Sequence, residues 1–238
     1  MPVPAAWGGG MTLRRTPILV LLLLLLAMVS SACQAKAKVN EFTNPGFEDG
    51  KGDWFSMTTG AWGEPFQVSR AQARSGENSA YLRIRSKESG VKVYGVVQEV
   101  APREFPEVVS GYYRAESWKK GAPIQYLQFV VIVFGMDLPG DDLPNHQIRY
   151  ILSSLDKPPF AIGNAKFVFV NSKEPRLGEW VPFKRNIKKD FEELWGAAPG
   201  EFSEIRVLFE ARYEGKEAED PEVVADVYYD DLKIGREE

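Results

Sequence analysis

The chain contains one cysteine, Cys33, and one histidine, His146, so it can form no internal disulfide and no zinc cluster of cysteines and histidines. A serine hydrolase would have to use His146 as its base, and no G-x-S-x-G elbow is present to serve it. Lys and Arg total 29 against 33 Asp and Glu, a net charge of −4, without the basic excess of a nucleic-acid binder. The main apolar run, Ile18 to Val29, is twelve residues, short of the roughly 20 that span a bilayer. No period of 20 to 50 residues recurs, which excludes a repeat architecture.

The run does fit a removed signal. Arg14 and Arg15 supply the positive n-region, Ile18 to Val29 the apolar h-region, and Ser31-Ala32-Cys33 the small-residue cleavage site. This arrangement resembles a bacterial lipoprotein signal, with Ser30 where such motifs usually carry leucine. It implies residues 1–32 as signal peptide, an acylated Cys33 and a polar tether over 33–40. Met11, followed by Thr-Leu-Arg-Arg, is a second candidate start. The alternative is an ordinary secretory signal that leaves a free thiol. Several acyl chains on one cysteine anchor a protein permanently where one chain does so only marginally. Gln34 is not the aspartate that usually retains lipoproteins at the inner membrane, which implies the outer membrane of a Gram-negative bacterium.

From Glu41 onward, strand composition dominates. Nine runs rich in Val, Ile, Tyr and Phe stand between Gly, Pro, Asn and Asp clusters: 80–85, 91–100, 108–115, 126–134, 147–153, 165–170, 180–187, 205–213 and 223–234. They predict one all-β domain over 41–238, a length that supports a single substantial core. Tyr126 to Phe134 is apolar at both parities, as in a central strand covered on two sides, and Lys166 to Val170 is a candidate to pair with it. Asp190 to Trp195 predicts one short helix, with Asp190 as N-cap, Gly196 as stop, and Phe191 and Trp195 facing inward together. Gly135 to Asn145, carrying Asp137, Asp141 and Asp142, is either a functional loop or a solvated acidic connection.

Several short motifs run through this frame in order. They are Asn44-Pro-Gly-Phe-Glu-Asp-Gly50 with Trp54 behind it, Ser75-Gly-Glu-Asn-Ser79, Gly95 to Val100, Ser110 to Ala115, Gly178-Glu-Trp180 and Tyr228-Tyr-Asp-Asp-Leu-Lys-Ile234. The series, from Asn44 to Ile234, resembles the jelly-roll carbohydrate-binding modules of the galactose-binding-like fold that are attached to cellulases and xylanases. Residues 124–173 depart from that pattern, being longer and more apolar. The resemblance implies a jelly-roll β-sandwich whose first and last segments are neighbours. It also implies a structural calcium ion held by Glu48, Asp230 and carbonyls of Ser75, Gly76 and Glu77, an oxygen set suited to that ion. Strand parity puts Asp230 on the inward face with Leu232 and Ile234, and Asp231 outward with Lys233. Without a metal, Asp230 would instead accept hydrogen bonds from backbone amides.

Glycan binding would rest on aromatic rings that stack against the apolar face of a pyranose. The resemblance makes Trp54 and Trp180 packing residues, and Trp195 belongs to the helix. Trp62, Tyr94, Tyr112, Trp118, Tyr126 and Tyr150 remain as platform candidates, each also open to a packing role. A glycosidase needs only two carboxylates, and Glu99, Glu210, Asp141 and Asp142 are the acids to inspect, although no spacing singles out a pair. The reading is a non-catalytic, membrane-anchored lipoprotein that binds a glycan at the cell envelope. The alternative is an adaptor that docks an envelope protein.

Overall fold

The computed structural model describes residues 1–2, 39–136 and 143–237. Arg14, Arg15, the apolar run, Cys33, Asp137, Asp141 and Asp142 lie outside the described residues. The chain divides into two units, Met1–Lys38 and Val39–Glu238, and the fold below belongs to the second.

Two sheets stack into a jelly-roll β-sandwich. The strands are β1 Gln67–Ser69, β2 Ser79–Ser86, β3 Lys92–Val100, β4 Val108–Lys119, β5 Ile124–Phe134, β6 Asn145–Ser153, β7 Phe160–Ile162, β8 Ala165–Phe169, β9 Trp180–Asn186, β10 Glu204–Glu214 and β11 Val223–Gly235. One sheet runs β1-β2-β11-β4-β9 and the other β3-β10-β5-β6-β8-β7. Alternation sorts the side chains. Phe129, Val131, Ile148, Tyr150, Val207 and Phe209 from one sheet meet Leu82, Ile84, Tyr113, Val227 and Tyr229 from the other in a single core.

The nine predicted runs are all strands, and two three-residue edge strands, β1 and β7, join them. β5 lies between β10 and β6 in the sheet. Its odd residues enter the core, while Val130 on its other face is sealed with Val97 and Leu208 beneath Met57 and Trp62. The expected pairing of Lys166 to Val170 with this strand is not found. β8 pairs instead with β6, in parallel, and with β7. Residues 124–173 thus widen the six-stranded sheet.

The start of the domain lies along its last strand. Glu41 N donates to Ile234 O at 2.7 Å, Asn40 Nδ2 to Leu232 O at 2.9 Å, and Leu232 N to Pro45 O at 3.1 Å. Pinning both ends of the domain removes two frayed termini and satisfies edge amides that water would otherwise have to serve.

Helix α1, Ile187–Trp195, follows β9 directly, and its N-cap is Asn186, whose side chain accepts from Lys189 N at 2.9 Å. Asp190 is therefore not the cap. It is buried in the first turn, where it accepts from Tyr150 Oη at 2.8 Å and from Arg185 Nη2 at 2.6 Å. Asparagine caps as well as aspartate does, and the buried tyrosine and arginine decide where the acid is used. Gly196, at φ 85°, ends the helix. Phe191 is fully buried, and Trp195 sits edge-on to the buried ring of His146 with centroids 4.7 Å apart.

Candidate functional site

Two places bear on the expected site residues: the clasp of the chain ends and the outer face of the six-stranded sheet.

At the clasp, the loop 74–78 lies against Glu48 and Asp230. Glu48 Oε1 accepts from Glu77 N and from Asn78 N, both at 3.0 Å, and Oε2 takes a weaker bond from Asn78 Nδ2 at 3.4 Å. Asp230 Oδ2 accepts from Arg74 N at 2.6 Å and Ser75 N at 3.3 Å, while Oδ1 accepts from Asp231 N at 2.7 Å. Ser75 Oγ donates to Asp231 Oδ1 at 2.5 Å. Gly76 takes φ +61°, and a Cβ there would overlap Glu48 Oε1. The residues named for calcium are therefore brought together, but the loop turns amides towards the carboxylates. Amide donors hold an anion and cannot ligate a cation. Among the described residues no three acidic, histidine or cysteine side chains converge to hold a metal. In this arrangement the loop offers the two carboxylates amide donors, which is not the donor set of a calcium cage.

The parity argument for Asp230 also fails, for a visible reason. Asp231 has φ +50° and lies where the register of β11 against β4 shifts, so a bulge inverts the alternation. Asp230 faces the same side as its ladder partner Tyr112, while Tyr229 and Leu232 both enter the core. The loop 74–78 buries it completely. Burial raises its pKa to about 6, against the pull of the amides of Arg74, Asp231 and Ser75 and with a push from the Asp231 charge.

The six aromatic candidates scatter. Tyr94 and Tyr150 are core residues, and Tyr150 stacks on Phe129 at 4.4 Å. Trp118 packs against the core, with its indole N–H buried and without a hydrogen-bond partner among the described residues. Tyr112 lies on the outer face of the five-stranded sheet beneath the Arg74 guanidinium, 4.6 Å from its ring centroid. Trp62 closes one half of the outer face of the six-stranded sheet, against Gly95 and Glu210. Tyr126 lines an open cavity.

That cavity, of about 430 Å³, occupies the other half of the same face. Phe160 and Phe167 stack with centroids 4.2 Å apart in its wall, and the Arg149 guanidinium lies 5.7 Å from the Phe167 centroid. Tyr126 Oη donates to Glu214 Oε1 at 3.3 Å, and Arg212 Nε is 2.7 Å from that same oxygen. Burial pushes the Tyr126 hydroxyl well above its usual range, with Arg212 opposing and Glu214 adding to the shift. Burial also works against the Arg212 charge, but Tyr126, Glu214 and Glu210 more than offset it and raise its pKa. On the same face of the sheet, Gln128 Nε2 donates to the buried Glu210.

Arg149, Arg212, Phe160 and Phe167 were not among the expected site residues. A signal existed: Arg149 and Arg212 interrupt apolar strands at the parity opposite to the core residues Tyr150, Ala211 and Tyr213, so they mark an outer face with chemistry on it. Of the acids considered for hydrolysis, Glu99 pairs with Arg206 in the neighbouring strand and Glu210 bonds Gln128. Glu210 lies four positions along β10 from Arg206, about 13 Å at strand rise, too far from Glu99 for a hydrolytic pair.

Residues 134–223, less than half of the chain, match the family described as protein of unknown function (DUF3047). No curated protein matches. Among solved structures, the chain is similar to TmCBM61 in complex with beta-1,4-galactotriose, at 14% identity, 84% of this chain, 100% of that one and a TM-score of 0.45. It is also similar to a family 16 carbohydrate-binding module, at 17% identity, 82% of this chain, 99% of that one and a TM-score of 0.44. A bacteriophage CBA120 tailspike domain aligns at 10% identity over 83% of this chain and 21% of its own length, with a TM-score of 0.41.

Proposed function

We propose that this protein is a lipid-anchored, non-catalytic module that holds a glycan at the cell envelope, in the cavity between Tyr126 and the Phe160–Phe167 wall. The cavity's composition is the observation that carries this reading. A pyranose presents an apolar face and a polar rim, and this cavity sets aromatic and aliphatic carbon beside guanidinium and carboxylate groups. The ordered motifs from Asn44 to Ile234 and their resemblance to carbohydrate-binding modules point the same way. Anchoring rests on the sequence around Cys33, with the outer membrane implied by Gln34.

A glycan array probed with the full chain tests the binding, beside a Phe167→Ala variant. Binding to a defined class of glycan, lost in the variant while its circular dichroism is kept, is the expected result. No glycan signal together with a reproducible envelope partner in pull-downs would move the assignment to an adaptor. Incorporation of labelled palmitate that disappears in Cys33→Ser tests the anchor.

A further inference from the structure

The cavity has a charge that a neutral sugar would not use. The chain is net negative at −4, yet among the described residues lining the cavity Arg149, Arg212 and Lys157 are cationic and only Glu214 is acidic. Glu214 is already engaged, by Arg212 at 2.7 Å and by the Tyr126 hydroxyl. The charges left over belong to Arg149 and Lys157. Arg149 Nη2 donates to Gln147 Oε1 at 3.0 Å, while its Nε is buried and has no hydrogen-bond partner among the described residues. Its guanidinium carbon lies over the Phe167 ring, 5.7 Å from the centroid.

Burial pushes the Glu210 carboxyl above the usual carboxylate range, against the hydrogen bond from Gln128 and the charges of Arg149 and Arg212. A neutral ring entering the cavity would strip water from two cations and return no counter-charge. An anionic substituent would supply the missing counter-charge.

We propose that the cavity selects sugars bearing an acidic substituent, a uronate carboxylate or a sulfate ester, with Arg149 and Lys157 as the groups that choose them. This rests on the glycan reading above and narrows it.

Calorimetric titration of the full chain in a zwitterionic detergent tests it with matched probes. These are oligogalacturonate against its carboxyl-reduced form, hyaluronan oligosaccharide against its carboxyl-reduced form, and a sulfated neutral oligosaccharide against its desulfated parent. The expected result is binding of an acidic member at least about tenfold tighter than its neutral twin, weakened by raising the salt. Arg149→Gln should abolish that preference, and Lys157→Gln, at an exposed position where folding is not at risk, should reduce it about threefold. Which acidic arm binds identifies the group recognised. Equal or tighter binding of the neutral members would overturn the charge selection and leave glycan binding standing. Absence of binding to every member would overturn both.

Discussion

The carboxylates of Glu48 and Asp230 grip a single loop, 74–78, from opposite ends of the domain sequence, and both do so by accepting its backbone amides. A loop held in this way carries its amides inward and its chain reversal at Gly76, and it joins the first segment of the domain to the last strand. Several consequences can be measured.

The clasp should be indifferent to chelation. Adding EGTA is expected to leave the melting temperature of the full chain unchanged, whereas Glu48→Ala should lower stability by about 1–3 kcal/mol by orphaning the amides of Glu77 and Asn78. A chelator-induced drop in melting temperature, restored by calcium, would show that the loop rearranges around a cation.

Gly76 and Gly178 separate backbone strain from steric overlap. Both have positive φ, +61° and +74°, but a Cβ would meet Glu48 at Gly76 and nothing within 4 Å at Gly178. Gly178→Ala should cost about 1–2 kcal/mol for the left-handed backbone alone. Gly76→Ala should cost clearly more, measured as a difference in urea midpoints. Equal costs would mean that the Glu48 side chain swings aside freely.

Asp230 gives stability a pH dependence of definite sign. Its folded pKa, about 6, lies above the ordinary 3.8, so the folded state binds the proton more tightly than the unfolded chain. Its stabilising effect is then complete below about pH 4 and is lost as pH rises through about 6. Glu210, also raised by burial, acts in the same direction. Unfolding free energy measured between pH 4 and pH 7 should therefore fall more steeply in the wild type than in Asp230→Asn. An identical slope in the two proteins would contradict the assignment.

The Asp190 cluster should behave as one coupled unit. Removing the carboxylate leaves the buried Tyr150 hydroxyl and the Arg185 guanidinium without their acceptor. Asp190→Ala should cost on the order of 3 kcal/mol. Tyr150→Phe should cost about 1 kcal/mol, and the double variant less than the sum of the two. Additive losses would show that the tyrosine and the carboxylate act independently.

The sequence by itself determined the nine longer strands and the all-β class, but not the edge strands β1 and β7 or the start of the helix. Strand composition and period are local properties, and every run from Ala80 to Ile234 read as strand is one. Gly196 ended the helix as its local chemistry requires, and the two-sided apolar character of Tyr126 to Phe134 marked a central strand. Tertiary structure decided what local patterns cannot encode, namely which outer faces come together and in what register. The parallel pairing of β6 with β8 places Arg149 beside Phe167, and the β10–β5 ladder places Arg212 opposite Tyr126, so the cavity belongs to no single segment. The bulge at Asp231 inverted the parity assigned to Asp230, because one extra residue in a strand exchanges its two faces. The oxygen-rich loop of Ser75, Gly76 and Glu77 presents amides, because the orientation of a peptide plane is set by the turn that the surrounding chain imposes and not by the side chains it carries.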